Sequence, residues 1–369
     1  MRCPGKTQKS ENPLWSRIAS PATLRPVTTP YASEAFLHQL LAKALAAKAS
    51  DVHLKVGQPP GARVHGSMVY FRVDKIRPDD MEAAALILMG ERPARDKIGT
   101  LHELTFAYEA PGIGRFRAHV YRQRGSLAIV LRSVPFAIPM FVELGLPPAV
   151  KALAEYDRGL VLVAGGASSG RTTTLAAMIG HINESASKHV VTLEDPIEFI
   201  FEDARSSVSQ REVGRDIQSL HAGLLTVLRY DPDVVMVGDI RDERSLDLAL
   251  DVAEMDRLVL ATVSGASVDQ ALRKLITSPE RRERIAGVLQ GALAQRLLPK
   301  QDSGGLVLAA EVLIVTSQVR ESIRRPETSP PLQDLMEKGA TTYGMQTLEM
   351  HIRALAAKGL LSKELLATL

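Results

Sequence analysis

The chain has 369 residues, 45% of them apolar, which is enough for two domains with buried cores. Its 45 Lys and Arg stand against 42 Asp and Glu, and the net +3 is too small to mark a dominant polyanion binder. Aromatic residues at 4% are too few for the stacking platforms that hold single-stranded nucleic acid, so no nucleic-acid partner is expected. The single cysteine, Cys3, excludes an intrachain disulfide framework and a four-cysteine zinc site, and fits a reducing compartment. No apolar run approaches the roughly 18 residues of a membrane span.

Residues 1–33 are rich in Pro, Ser, Thr and basic residues, lack the apolar stretch of a signal peptide, and read as a disordered tail. A first helix is expected from Glu34 to Ala49, capped by Ser33. The stretch "SDVHLKVGQPPGARVHGSMVYFRV" alternates strand-like runs with Gly and Pro breaks, and Gly66-Ser67 is placed as a hairpin turn. A second helix is expected from Pro78 to Gly90. Leu104 to Pro135 reads as an antiparallel meander: "FAYEA", a turn at "PGIG", "RFRAHVYRQR", a turn at Gly125-Ser126, then "LAIVLRSV". Along its middle strand Arg115, Arg117, His119 and Tyr121 share one face, and Phe116, Ala118 and Val120 the other. The apolar face belongs to a core; the arginine face meets solvent or a partner. Residues 34–134 thus form an N-terminal α+β domain, and "PFAIPMFVELGLPP" (135–148), with four prolines, a linker.

Beyond the linker the pattern changes. "GLVLVAG", "HVVTLED", "DVVMVGD" and "RLVLATV" are short apolar runs, each followed by a helical segment. That alternation reads as a parallel sheet with crossover helices, a RecA-like α/β domain over 149–369, with a helical tail from about Val319. The first run leads into "GGASSGRT", residues Gly165, Gly166, Ala167, Ser168, Ser169, Gly170, Arg171 and Thr172. A phosphate-binding loop has the pattern G-x-x-x-x-G-K-[ST]. Gly165 and Gly170 keep that spacing, and Thr172 takes the magnesium-side position. Arg171 stands where lysine belongs. Backbone N–H groups of such a loop, with the helix N-terminus, face phosphate oxygens. Arginine retains the charge but is larger, planar and forked. Taken alone, the stretch reads equally well as a Gly/Ser turn before a helix. Acids follow at later strand ends: Glu194 and Glu198 in "TLEDPIEF", and Asp239 closing "DPDVVMVGD", where a Walker B acid meets magnesium and water.

Together, "ASDVHL", "RFR", "RGLVLV", "TTLAAMI", "EDPIEF", "QREVGRD", "DPDVVMVG", "IRD" and "GMQTLEM" resemble, in order and spacing, the secretion ATPase superfamily. Within it they resemble the type IV pilus retraction ATPases, PilT and its relatives, over nearly all of residues 34–365. The resemblance implies a hexameric ring on the cytoplasmic face of the inner membrane, peripheral to it through the pilus machinery. Each subunit would have a PAS-like N-terminal domain and a RecA-like domain holding ATP and Mg²⁺ between them. Closure of that clamp would drive a platform protein that extracts pilin. The resemblance makes residues 165–172 the phosphate loop, and Glu194 and Glu198 the acids that contact magnesium and water. Asp239 becomes the Walker B acid, and Thr172, Glu194 and Asp239 the metal set. Arg117, Arg124 and Arg132 match N-domain arginines, some of which reach the γ-phosphate; a solvated strand face is the alternative reading of each.

Against the family pattern, the departures fall on the chemistry: Arg171 for lysine, Ser168 for glycine and Asp239 for glutamate. Arg257 and Ser264 replace two histidines, Gly265 a threonine and Tyr230 a glutamate. The expectation is a PilT-like ring subunit that binds ATP with hydrolysis weak or lost, in a homo-hexamer or a hetero-hexamer with a paralogous retraction ATPase. The alternatives are a fully active retraction ATPase and an assembly-type secretion ATPase. The absence of a four-cysteine set counts against the last.

Overall fold

The computed structural model describes residues 29–64, 67–134, 137–301 and 305–361. Residues 1–28 of the expected tail, and Gly66 of the expected hairpin turn, lie outside them. The sequence folds into two lobes, each built on its own sheet.

The N-terminal sheet comprises β1 (Ala49–Lys55), β2 (Gly61–Val64), β3 (Ser67–Tyr70), β4 (Glu103–Ala110), β5 (Gly114–Gln123) and β6 (Ser126–Val134) in the order β3-β2-β1-β6-β5-β4. Every pairing is antiparallel. The alternation read along β5 holds: Phe116, Ala118 and Val120 are buried, and the arginine face is half-buried. Helices α1 (Glu34–Ala46) and α2 (Pro78–Met89) contribute to the same core. Residues 29–33 join this lobe rather than the tail. Tyr31 is buried, edge-on to Phe36 at 5.0 Å between ring centres, and the Thr29 hydroxyl donates to Asp80, the residue that also accepts from the Arg77 N–H at the start of α2. The β5–β6 turn is Arg124-Gly125, one residue earlier than expected, because Gln123 pairs with Ser126. Both turn residues have positive φ, at 48° and 78°, as the favoured two-residue hairpin requires.

Between the lobes the chain carries a short helix, α3 (Phe141–Leu144), followed by α4 (Pro148–Ala154). The second sheet comprises β7 (Gly159–Gly165), β8 (His189–Glu194), β9 (Ser207–Glu212), β10 (Val234–Asp239), β11 (Leu258–Ser264), β12 (Leu289–Pro299) and β13 (Leu306–Ile314). Its order is β13-β12-β7-β11-β10-β8-β9, parallel throughout except for β12–β13. Helices α5 (Arg171–Ser185), α6 (Leu220–Val227) and α7 (Glu243–Glu254) are among the crossovers. The helical tail is present as segments at Ser317–Arg324, Leu332–Lys338 and Leu348–Ala357.

The strands are apolar on both faces because both faces are covered. Leu160, Leu162 and Ala164 of β7 join one core; Val161 and Val163 join the other. Parallel order then places the carboxyl ends Gly165, Glu194, Asp239 and Ser264 along one edge, where open α/β sheets hold their ligands. Gly165 is needed at that edge for space. A Cβ there would collide with Ser169 Oγ and lie 3.0 Å from the Gln295 carbonyl oxygen. Gly165→Ala is expected to cost about 1–3 kcal/mol of stability, read as a lower urea midpoint at unchanged slope.

Candidate nucleotide site

The loop between β7 and α5 turns through two residues with left-handed backbone, Ser168 at φ 59° and Gly170 at φ 89°. Glycine adopts that geometry freely, whereas a side chain costs roughly 1–2 kcal/mol, so Ser168 holds the loop under strain. Gln295 of β12, fully buried, fixes the loop from behind. Its Nε2 donates to the Ser169 carbonyl oxygen at 2.8 Å, and its Oε1 accepts from Thr174 Oγ1 at 2.9 Å. The first N–H groups of α5 have no partners within their own helix, the arrangement that receives phosphate.

One cavity of about 630 Å³ brings together residues 167–172 of the loop with Glu194, Glu198, Asp239, Arg117 and Arg132. Within it the charges are already paired. Asp239 Oδ1 accepts from Arg171 Nη1 at 2.8 Å and from Thr262 Oγ1 at 3.4 Å, and its Oδ2 accepts from Arg241 Nε at 3.1 Å. Glu198 accepts from Arg117 Nη1 at 2.9 Å. Arg132 donates from Nε to Asp51 at 2.9 Å, within its own lobe. Arg124 is the exception among the three matched arginines. It sits exposed at the β5–β6 tip, about 20 Å along the strand from Arg117, and does not line the cavity.

Two of the positions that depart from the family pattern lie apart from the loop. Arg257 precedes the amino end of β11, at the opposite edge of the sheet from Ser264, and pairs with Asp231 at 3.4 Å. Tyr230 lies beyond α6, where its hydroxyl accepts from Arg211 Nη1 at 2.6 Å. Ser264 does stand at the nucleotide edge, in register with Gly165. The changed positions therefore belong to more than one place in the fold.

The expected metal set of Thr172, Glu194 and Asp239 shares the cavity, yet its donors do not fit a magnesium ion as they stand. Both Asp239 oxygens are held by guanidinium groups. Glu194 is 4% exposed, and its Oε1 already accepts from Thr192 Oγ1 at 2.7 Å and Gln210 Nε2 at 3.1 Å. Magnesium requires near-octahedral oxygen ligation and gives up water reluctantly.

Sequence reasoning passed over the residues that support the acids. Arg115 reaches across from the N-terminal lobe and donates Nε and Nη2 to the Ile197 carbonyl oxygen at 3.3 and 2.9 Å. The Ile197 N–H donates to Glu212 Oε2 at 3.2 Å, and Glu212 Oε1 lies 3.7 Å from Arg92 Nη2. The segment carrying Glu194 and Glu198 is thus held directly by two arginines of the other lobe, Arg115 and Arg117, and through Glu212 by a third, Arg92. Arg115 was visible on the arginine face of β5. Gln295 was signalled only as one amide inside the apolar run "GALAQRLL".

Burial pushes the Glu194 carboxyl up to about 7, against the opposing effect of its hydrogen bonds from Thr192 and Gln210. The native state therefore binds a proton that the unfolded chain releases near 4.5, and stability falls as pH rises between those values. Glu194→Gln is expected to gain on the wild type by up to about 3 kcal/mol between pH 4.5 and pH 8. Urea unfolding across that range measures it; parallel stability curves for the two proteins would contradict it.

The family model for type II/IV secretion system proteins matches residues 130–357. The type IV pilus retraction ATPase PilT of Pseudomonas aeruginosa is 35% identical over 332 residues, covering 88% of this chain and 95% of that protein. The type IV pilus ATPase PilU of the same organism is 36% identical over 321 residues, covering 85% of this chain and 83% of PilU. A crystal structure of the pilus retraction motor PilT with bound ADP superposes with a TM-score of 0.80 at 37% identity, over 89% of this chain and 95% of that one. The fold is that of an N-terminal domain joined to a RecA-like ATPase domain, and the chain belongs to the type II/IV secretion system family, in its PilT-like branch of pilus retraction ATPases.

Proposed function

We propose that this protein is a ring subunit of a type IV pilus retraction machine, serving twitching motility, that holds ATP between its two lobes and hydrolyses it weakly or not at all. The observation that carries the second half is the Arg171–Asp239 ion pair on an otherwise well-packed RecA-like scaffold. A phosphate-loop cation acts by reaching the β- and γ-phosphates, and a Walker B acid by aligning magnesium and water. Here each is bound to the other. Asp239 is also one methylene shorter than glutamate, which sets its carboxylate back by about 1.5 Å. A misplacement near 1 Å can lower a rate on the order of 100-fold. The loop's backbone donors do not depend on these side chains, so binding survives where turnover does not.

The subunit is assigned to a hexamer, either of identical chains or mixed with a paralogous retraction ATPase, at the cytoplasmic face of the inner membrane beside the pilus platform protein. PilU, the type IV pilus ATPase 36% identical to this chain, and PilT, the retraction ATPase, occur in one organism, which supports a paralogue arrangement. In a mixed ring, a subunit that binds nucleotide without turnover would set the number of firing interfaces.

Two measurements test this reading. ATPase assays on the purified protein should give turnover near background. The combined variant Ser168→Gly, Arg171→Lys, Asp239→Glu and Ser264→His should raise kcat by about 100-fold, while each single change gives little. Robust turnover by the wild type would instead identify an active motor. Arg117→Ala, which removes a guanidinium from the cavity and its bond to Glu198, should weaken ATP binding about tenfold and ADP binding much less. Fluorescence titration of the two nucleotides would show equal losses if Arg117 serves only to join the lobes.

A further inference from the structure

Two cations flank the Asp239 carboxylate at the end of β10. Arg171 holds Oδ1 at 2.8 Å, and Arg241, two residues beyond, holds Oδ2 at 3.1 Å while its Nη1 lies 4.0 Å from Asp195. Thr262 Oγ1 gives Oδ1 a further bond at 3.4 Å, so this is a fully engaged carboxylate. A dication approaching Asp239 would have to displace a guanidinium and then stay beside it. The repulsion between neighbouring like charges in a partly desolvated cavity opposes that. Arg171 uses one of its five N–H donors on Asp239, leaving others in a planar fork that suits phosphate oxygens. Arg241 also lines the cavity. Two guanidinium groups shared with one carboxylate leave positive charge beside the loop for a polyphosphate.

We propose that this site takes nucleotide as the metal-free polyphosphate, with Arg171 and Arg241 supplying the positive charge that a magnesium ion supplies in a phosphate loop with lysine and a free strand-end acid. The proposal rests on the nucleotide-binding reading above and adds the ionic form of the ligand. Asp239 acts here as a positioning residue for the two arginines, holding both beside the loop's cavity. The change of lysine to arginine and that of glutamate to aspartate become one change, since the longer cation reaches the shorter acid.

The test is an equilibrium titration of ADP and of ATP into the full chain, in excess magnesium and in excess chelator. The expected result is a dissociation constant that agrees within about twofold between the two buffers. Binding strengthened about tenfold or more by magnesium overturns the proposal and leaves the nucleotide reading standing. Failure to bind in either buffer overturns both. The double variant Arg171→Lys/Asp239→Glu should acquire a magnesium dependence of about tenfold; a double variant indifferent to magnesium contradicts the assignment to this pair. Arg241→Ala, at a largely exposed position that should leave the fold intact, should weaken binding in chelator about tenfold while changing it much less for the double variant in magnesium. Equal losses in both proteins would show that Arg241 does not replace the metal.

Discussion

Coverage of the parallel sheet on both faces is the constraint from which the site follows. Alternate residues of β7 enter different cores, so helices must lie on each side and every crossover must return to the same end of the sheet. The loop before α5 and the acids closing β8 and β10 are then neighbours by topology, not by attraction between them. The same packing supplies Gln295, whose amide reaches the loop from β12, the strand that also brings Leu297 to the cavity. With the edge fixed in this way, side chains can change at the site while the scaffold beneath them stays the same.

That independence is visible in the chemistry. The loop backbone follows the phosphate-binding path, with positive φ at Ser168 and Gly170. The side chains above it satisfy one another. Arg171 and Arg241 close on Asp239, Arg117 closes on Glu198, and Glu194 is sunk among Thr192 and Gln210. A charged site whose members neutralise one another is stable without a ligand. Nucleotide phosphates entering it compete with carboxylates for guanidinium groups, and this competition, more than the loop's shape, governs what the site can do.

Much of this was legible in the amino-acid sequence, for identifiable reasons. The period-two alternation of β5 and the apolar runs of the second sheet are burial patterns, and burial dictated both. The loop and the strand-end acids were found because the motif fixes their spacing in the chain. What escaped was long-range. Nothing local distinguishes Arg117, which meets Glu198 across the lobes, from Arg124, which turns a hairpin in solvent. Arg257 precedes β11 and Ser264 closes it, seven residues on, so the strand's length separates what a motif reads together. Arg115 and Glu212 escaped because each acts on the backbone of Ile197, and no side-chain pattern records a carbonyl.

The grip on Ile197 also bears on motion. Strand β5 runs from Gly114 to Gln123, about 33 Å, and it is anchored on the acid-bearing segment only near its beginning, through Arg115 and Arg117. It pairs along its length with β4 and β6, so a shift at that anchor is carried by the sheet rather than by one strand. A rotation of the sheet by about 5° at the Arg117 anchor would move the far hairpin by roughly 2 Å. An exchange of the Glu198 carboxylate for phosphate at Arg117 would thus be felt at the exposed Arg124 hairpin without any chemical step at the site.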